Sequence, residues 1–443
     1  MKRIHLYLPL AAGALLMSAC ASTPAPAPPS APVAEPAPPA AGVPSPADFL
    51  GFEVGTARRL ADWTEVTGYM EALAQASPRV LLDTLGETTL GRPFVMLTIS
   101  SEANLERLDE LHDIQMRLAD PRRLESQAEA DELIGRGRAI VLITASIHST
   151  EVGASQVPMT IAHRLATSER ELERHIRDNA IVLLVPSLNP DGVQLVVDWY
   201  EGTLGTPWEG ASPPFLYHHY VGHDNNRDWY YFSQIETQLA IEHAHDAWHP
   251  QIVHDIHQMG SDGARLFIPP WIDPVEPNVD PLLIESINDV GTHMAWYVGL
   301  QGLEGVVVNA TYDAWTPARA YQHYHAGARI LTETASANMA SPIVIPFEEL
   351  DQGRNFHAQV ASWNFPDPWP GGEWTLRDIV TYMEAGAFGL LEHAADNRAQ
   401  WLRSFLEIGR NAIAGWDRWP EAWVIPAEQP NEPGVRELLR VLV

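Results

Sequence analysis

Apolar and polar residues follow one another along the chain in blocks that are typical of an α/β protein. Continuous apolar runs over Ala139–Ala145, Ala180–Val185 and 252–256 predict buried strands. Segments with helical periodicity occur before and between them, as in Trp63–Ala76 and 153–170. Because strands alternate with helices and several strands are wholly apolar, we expect a mixed, mostly parallel central sheet with helices on both faces.

Weaker signals extend this pattern. The turn residues and short apolar runs predict further strands over 80–85, 93–100, 305–308 and 328–332, and further helix over most of 105–134 and 375–415. The tetrapeptide N-P-D-G at 189–192 follows a predicted strand and is interpreted as a turn.

The end of the chain carries a separate signal. Residues 421–443 predict one strand, a Pro-rich turn and one helix. A single strand–helix unit cannot bury both of its apolar faces. We therefore expect this unit either to begin a further domain or to pack back on the main domain, which we place at 48–420.

The first 47 residues have the parts of an export signal and a spacer. Lys2 and Arg3 precede an apolar run over 6–16, and small residues lead to Cys20. We expect a signal peptide over 1–19. The end of this segment resembles a bacterial lipobox, in which the cysteine is lipidated, although an ordinary signal peptide with a chance cysteine is the alternative. Residues 20–47 are rich in Ala and Pro and predict an unpacked linker.

A lipid on Cys20 would attach the protein to a membrane without spanning it. Ala21 follows the cysteine, which resembles an outer-membrane address. The predicted location is therefore the bacterial cell envelope, at the outer membrane, with a periplasmic or secreted protein as the alternative. No later stretch has the ~20 consecutive apolar residues that a transmembrane helix needs.

Charge and cysteine content exclude some classes of function. The net charge of −29 argues against nucleic acid as a partner, because the phosphates would be repelled. A single cysteine excludes disulfides within the chain and a cysteine-rich zinc site. Any metal ion would have to be held by histidines and carboxylates.

The first candidate for such a site follows the strand at Ala139–Ala145. His148 and Glu151 form a His-x-x-Glu motif there, and a catalytic zinc takes three protein ligands and keeps one position open. The H-E-x-x-H zinc helix is excluded, since no histidine of this chain is followed by glutamate. The alternative for Glu151 is a place in the first turn of the next helix, where the helix dipole favours a negative charge.

Three further polar clusters follow in order. H-D-N-N-R-D-W spans 223–229, H-D-I-H-Q spans 254–258, and L-T-E-T-A-S spans 331–336. Glu333 is the only charged residue of the last cluster, and an isolated carboxylate at a strand end is costly unless it is partnered or functional.

In this order the motifs resemble those of the M14 family of zinc carboxypeptidases, with its carboxypeptidase A-like fold. The resemblance spans about 60–415 and rests on His-x-x-Glu, N-P-D-G, D-x-N-R-x-W, a strand-end His and a strand Glu. The segment 85–100 also looks like the family's hairpin ahead of the metal-binding strand. The resemblance implies a zinc-dependent metallocarboxypeptidase with one Zn²⁺ per chain. Its partner would be a peptide with a free C-terminal carboxylate.

The resemblance also implies the metal ligands and the base. His148, Glu151 and His257 would be the ligands, and Glu333 would take the proton of the zinc-bound water and pass it to the leaving amine. His254 is the rival third ligand. Because alternate residues of a strand point to opposite faces, His254 and His257 should not share a face.

Asn226 and Arg227 match the family's pair that holds the terminal carboxylate, a role that suits the bidentate fork of arginine. Asp224 would either contact a ligand histidine or orient Arg227. Tyr312 lies near the position of the family's mobile substrate-capping tyrosine, and Tyr321 and Tyr324 are alternatives.

One departure from the family pattern concerns an extra arginine that grips substrate and stabilises the oxyanion. Between Arg177 and Arg227 this chain has neither Arg nor Lys. Removal of such a donor costs roughly 10²–10³ in rate if nothing replaces it. The alternatives for its replacement are His218, His219 and His223 in the same loop, and Arg329.

Two rival functions remain at this level. One is an amidase on cell-wall peptides, or a deacylase of N-acyl amino acids, in the same fold. The other is a non-catalytic binding lipoprotein. Glu333 argues against the second, because a protein that only binds has no need of a general base.

Overall fold

The computed structural model describes residues 42–218, 224–274, 276–311, 321–415 and 422–442. The expected signal peptide, Cys20, most of the linker and Tyr312 lie outside these ranges, as do His219 and His223. The linker's last residues are described, and they include the start of the first helix at Pro46.

Within the described ranges there are fourteen α-helices and twelve strands. The helices are α1 Pro46–Leu50, α2 Trp63–Ala76, α3 Glu102–Leu105, α4 Leu108–Ala119, α5 Gln127–Arg136, α6 Val152–Thr167, α7 Glu171–Asn179, α8 Pro190–Thr203, α9 Ile235–Ala240, α10 Asp246–Trp248, α11 Pro281–Leu300, α12 Leu376–Asp396, α13 Arg398–Ala414 and α14 Glu432–Leu442. The strands are β1 Val80–Glu87, β2 Pro93–Ile99, β3 Ala139–Ala145, β4 Ala180–Val185, β5 Ile252–Met259, β6 Leu266–Phe267, β7 Val306–Val307, β8 Ala328–Ala335, β9 Ile343–Ile345, β10 Gln352–Gly353, β11 Phe356–His357 and β12 Gly372–Trp374.

Eight of these strands form the central sheet, in the order β1-β2-β4-β3-β5-β8-β6-β7. Its middle is parallel, since β3 pairs with β4 and β5, and β5 pairs with β8, in the same direction. The pairs β1–β2, β2–β4 and β6–β8 are antiparallel. The expectation of a mixed α/β sheet is confirmed.

Both faces of the sheet are covered, which explains the continuous apolar runs. On one face Val141 and Ile143 pack with residues of α2, α6, α11 and α12. On the other, Ile140 and Leu142 pack with residues of α4, α5 and α13. Successive side chains of a strand point to opposite faces, so a strand that is buried on both sides is apolar at every position.

Most of the predicted elements are present, and α2, β3 and β4 have the predicted bounds. The N-P-D-G segment is not only a turn, because it begins α8. Asn189 is the N-cap, where its side chain accepts a hydrogen bond from the Gly192 N–H at 3.0 Å, and Pro190 occupies the first helical position. Both choices are typical of a helix N-terminus.

The prediction for the end of the chain is half correct. α14 forms, but 422–430 contains no strand, and Trp423 and Val424 are exposed. A strand needs a neighbouring strand to pair with its backbone N–H and C=O groups, and no described strand lies beside 422–430. No residue of α14 is buried, and its contact to the rest of the chain includes a hydrogen bond from Arg440 to the Tyr231 carbonyl.

None of the helices in the described ranges has the length and apolar character that would let it cross a membrane.

Candidate metal centre and active-site cavity

The candidate site lies where the parallel strands end. The chain leaves β3 through a loop that carries His148 and begins α6 after Glu151. His257 lies near the end of β5, and Glu333 lies directly opposite it on β8. The carboxyl ends of neighbouring parallel strands meet at one edge of a sheet, which is where binding sites of open α/β proteins form.

His148, Glu151 and His257 form a compact cluster of donor atoms. One donor atom from each lies within 4.8 Å of the others. Nδ1 of His148 lies 2.8 Å from Oε1 of Glu151, and Nδ1 of His257 lies 3.1 Å from Oε2. Two imidazole nitrogens and one carboxylate oxygen are a donor set of catalytic zinc sites, and the three residues fit such an ion.

Glu151 does not act as a helix cap. It occupies the N-cap position of α6, but its side chain makes no capping hydrogen bond. The carboxylate instead faces both histidines and accepts the Gln258 N–H at 2.8 Å. Its orientation is therefore set by the end of β5 and not by the helix dipole.

Each histidine has an aspartate behind it. Nε2 of His148 lies 3.0 Å from Oδ1 of Asp224, and Nε2 of His257 lies 3.1 Å from Oδ2 of Asp255. When Nε2 donates to a carboxylate, Nδ1 is left as the metal-binding nitrogen, and the ring orientation is fixed. Asp224 thus contacts His148, a candidate ligand, and it also lies 3.8 Å from Arg227.

Asp255 was missed in the sequence analysis, although the sequence carries a signal for it. Asp255 and His257 are two residues apart on one strand, so their side chains share a face. His254 lies on the other face, where it is fully buried and its Nε2 contacts the Thr332 hydroxyl at 3.0 Å. It is not part of the donor cluster.

The electrostatics of the cluster favour a cation. Burial acts to lower the pKa of His148, but the hydrogen bonds to Asp224 and Glu151 raise it to about 9. Burial likewise acts to lower the pKa of His257, and the charges of Asp255 and Glu151 raise it well above its usual value. The same carboxylates that favour a proton on these rings favour a metal ion between them.

The loop that carries His148 is held by amide side chains. Asn225 Nδ2 donates to the Ile147 carbonyl at 2.8 Å, and Asn189 Nδ2 donates to the same carbonyl at 3.3 Å. The Ser149 hydroxyl donates to the Asn189 carbonyl at 3.2 Å. The N-P-D-G segment therefore supports the metal-binding loop as well as starting α8.

The first turn of α6 packs very closely against neighbouring elements. The Gly153 N–H donates to Oε1 of Gln258 at 2.7 Å. A Cβ atom at this position would lie 2.4 Å from a methyl carbon of Ile379 on α12. Only glycine fits here without displacing α6.

Glu333 faces this cluster without a hydrogen bond of its own to any described residue. It lies next to His257 in the parallel register and opposite Phe267 across β6. Burial raises the pKa of its carboxyl to about 7; the charges of His257 and His148 oppose this shift, and those of Glu151 and Asp255 add to it.

A cavity of about 620 Å³ opens beside Glu333. Its charged lining residues are Arg227, Asp262, Glu333 and Arg354, and Met259, Phe267 and Phe356 contribute apolar surface. Arg354 comes from the turn between β10 and β11 and is exposed. No sequence motif pointed to it, because a surface turn far along the chain carries no signal of where it folds.

The other candidates lie elsewhere. Asn226 is buried, its amide nitrogen lies 3.4 Å from Nε2 of His257, and it does not line the cavity. Arg329 pairs with Asp255 and does not line the cavity. The Tyr321 hydroxyl donates to Asp246 at 2.7 Å, and Tyr324 lines a different cavity.

The geometry predicts one zinc ion per chain. We expect His148→Ala, Glu151→Ala and His257→Ala each to weaken zinc binding by more than the roughly 10–100-fold that the loss of an outer partner costs. Chelator competition and metal analysis of the dialysed protein measure this. His254→Gln is the control and should retain one zinc. Normal affinity in His257→Ala, with loss of zinc in His254→Gln, would contradict the assignment.

Comparison with known proteins agrees with this geometry. A zinc carboxypeptidase family model, Peptidase M14, matches residues 66–254. No curated protein matches the chain.

Solved structures that are similar to the chain include three carboxypeptidases. Carboxypeptidase A from Helicoverpa armigera is 16% identical, with 79% of this chain and 74% of that chain covered and a TM-score of 0.44. A metallo-carboxypeptidase from Burkholderia cenocepacia is 16% identical, with 74% and 67% covered and a TM-score of 0.43. A metallo-carboxypeptidase from Pseudomonas aeruginosa, in complex with (2-guanidinoethylmercapto)succinic acid, is 13% identical, with 76% and 69% covered and a TM-score of 0.46.

The family match includes His148 and Glu151, and β5 adds His257 to complete the donor cluster. The resemblance inferred from the order of the motifs is therefore confirmed, and residues 66–254 match the zinc carboxypeptidase family.

Proposed function

We propose that the chain is a zinc-dependent metallocarboxypeptidase that hydrolyses the C-terminal peptide bond of peptides. The observation that carries the proposal is the position of Glu333. Its carboxylate lies on the strand next to the ligand His257, has no hydrogen-bond partner among the described residues, and lines the same cavity as Arg227. This shared cavity supports a role for Glu333 as general base and for Arg227 in binding a terminal carboxylate.

His148, Glu151 and His257 would hold the ion. When bound, zinc supplies a Lewis acid that polarises the scissile carbonyl and makes a water molecule more acidic. The carboxylate of Glu333 takes a proton from the attacking water and delivers it to the nitrogen of the leaving amino acid. Both transfers need a group that reaches the reacting atoms from one side, as a side chain at a strand end does.

Arg227 binds the free carboxylate at the end of the substrate. Its side chain is 40% exposed, and the sequence contains no Arg or Lys between Arg177 and Arg227. Within the described residues its contacts are weak, at 3.2 Å to the Asn226 carbonyl and 3.8 Å to Asp224. The guanidinium fork is therefore available for a bidentate carboxylate contact.

Arg354 supplies the second positive group that faces the substrate. It lines the cavity together with Arg227 and Glu333, and it forms no ion pair with any residue in the described ranges. In this proposal it takes the place of the arginine that the stretch between Arg177 and Arg227 lacks, and approaches the substrate from a different element.

The lipid anchor is part of the proposal. The signal-like segment, the single cysteine at its end and the Ala/Pro-rich spacer together support an enzyme tethered at Cys20 to the bacterial cell envelope, with its substrates in that compartment.

Hydrolysis and the role of Glu333 can be tested in one assay. The chain from residue 42 onward should remove single C-terminal residues from the peptides of a mixed library. Mass spectrometry measures this shortening, and a chelator should abolish it. Peptides with amidated C-termini should resist. Glu333→Gln should lower kcat by roughly 10²–10⁴-fold, the usual contribution of a general base, while zinc remains bound.

The control for that variant is Glu348→Gln, an exposed carboxylate outside the cavity. Cleavage of amidated and free peptides at equal rates would refute recognition of the free terminus and favour an amidase. Bound zinc without hydrolysis of peptides, cell-wall peptides or acyl-amino acids would favour the binding-protein alternative.

The two arginines of the cavity should affect different kinetic constants. Arg354→Met should lower kcat/KM by roughly 10²–10³-fold, the range for loss of a donor to a developing oxyanion. Arg227→Met should mainly raise KM for peptides with a free C-terminus. Arg403→Met, which removes a surface pair with Asp131, is the matched control. An unchanged kcat/KM in Arg354→Met would remove this residue from the active site.

Lipidation at Cys20 can be tested in cells. In the full chain expressed in a bacterium, Cys20→Ser should abolish incorporation of radiolabelled palmitate and move the protein from the membrane to the soluble fraction. Labelling that persists in Cys20→Ser would refute lipidation at this residue, and an unlabelled but exported wild-type chain would favour an ordinary signal peptide.

A further inference from the structure

A buried ion pair lies inside the sheet directly behind a metal ligand. Asp255 on β5 and Arg329 on β8 have side chains that are only 7% and 8% exposed. Nε of Arg329 donates to Oδ2 of Asp255 at 3.1 Å, and Nη2 contacts the same oxygen. Such a pair is kept in a protein interior only where its charges are well compensated.

The partners of Asp255 connect this pair to the metal centre. Oδ2 also lies 3.1 Å from Nε2 of His257, and Oδ1 accepts a hydrogen bond from the Thr144 hydroxyl at 3.3 Å. Thr144 lies opposite Asp255 in the β3–β5 register, while Arg329 lies opposite Val253 in the β5–β8 register. All of these side chains therefore share one face of the sheet, in a line that ends at the imidazole of His257.

The second ligand histidine has a much looser support. Asp224, behind His148, is 40% exposed, and its contact to Arg227 is 3.8 Å long. Asp224 also accepts the Asn226 N–H at 2.8 Å, but its exposed carboxylate can exchange the long contact to Arg227 for water. Asp255 has no such freedom, because its buried carboxylate is held by the rigid planar fork of a guanidinium.

We infer that Arg329 is a positioning residue for the metal, acting through Asp255 to hold the His257 ring with Nδ1 towards Glu151. This inference rests on the metal site of the proposed function. Arg329 neutralises Asp255 and holds its Oδ2 while Thr144 holds Oδ1, so the hydrogen bond to Nε2 keeps one direction. Arg329 thereby slows the loss of the ion, and it contacts neither substrate nor metal.

The test measures the release of zinc and not activity. The zinc-loaded chain is mixed with excess chelator, and the release is followed with a zinc-sensitive dye for wild type, Asp255→Asn, Arg329→Met and the double variant. We expect each single variant to release zinc roughly 10–100-fold faster, as for other outer partners of metal ligands. Because Arg329 acts through Asp255, adding Arg329→Met to Asp255→Asn should change the rate by less than about twofold, the usual limit of additivity.

Loss of one member of a buried ion pair also destabilises a fold, and two further variants account for this. Arg164→Met removes one of the two arginines that pair with Glu173, a fully buried carboxylate of α7, and should alter thermal unfolding but not zinc release. Arg329→Lys keeps the charge without the fork and should release zinc faster than wild type by a smaller factor. The visible absorption of the Co²⁺-loaded protein should change in Arg329→Met and not in Arg164→Met.

The inference is overturned, while the proposed function stands, if Arg329→Met releases zinc at the wild-type rate. It is also overturned if Arg329→Met accelerates zinc release equally in the wild-type and the Asp255→Asn backgrounds. Equal acceleration in Arg164→Met and Arg329→Met also overturns it, because the effect would then be one of general stability. A wild-type chain that binds no zinc overturns both proposals together.

Discussion

The parallel pairing of β5 with β3 on one side and β8 on the other is the constraint on which the site depends. Ala145 lies opposite Ile256, and His257 lies opposite Glu333, so the loop of His148, the candidate ligand His257 and the proposed base Glu333 reach one edge together. A shift of either register by one residue would turn alternate side chains to the other face. The apolar residues that fill both faces of these strands hold the register, and in this way the core determines the chemistry.

The second organising feature is negative charge in a confined space. Glu151, Asp224 and Asp255 surround two imidazole rings, and Glu333 lies beside them. Only one of the aspartates is neutralised within the sheet, by Arg329. The remaining charge would be compensated by a divalent cation or by protons on the two rings, so the cluster is suited to hold a metal ion.

Much of this could be predicted from the sequence, for physical reasons that differ between elements. β3 and β4 were predicted with their bounds because strands buried on both faces must be apolar at every position. His148, Glu151 and Glu333 stood out because polar residues that end apolar strands need a reason. The contribution of Asp255 could have been found from its spacing to His257. The position of Arg354 could not have been predicted, since only the folded chain brings the β10–β11 turn to the cavity. The predicted strand before α14 does not form within the described residues, because an apolar stretch without a neighbouring strand has no partner for its backbone hydrogen bonds.

The close approach at Gly153 links the metal centre to the helical layer on its side of the sheet. The methyl group of Ile379 on α12 occupies the space that a side chain at this position would need, and the backbone N–H is bound to Gln258. Because Glu151 lies just before Gly153, its aim depends on how α6 and α12 pack. The cavity walls come from other segments, near Asp262 and Arg354. A substitution in those walls can therefore alter what the cavity accommodates without disturbing Glu151, whereas a substitution in α6 or α12 disturbs the donor cluster itself.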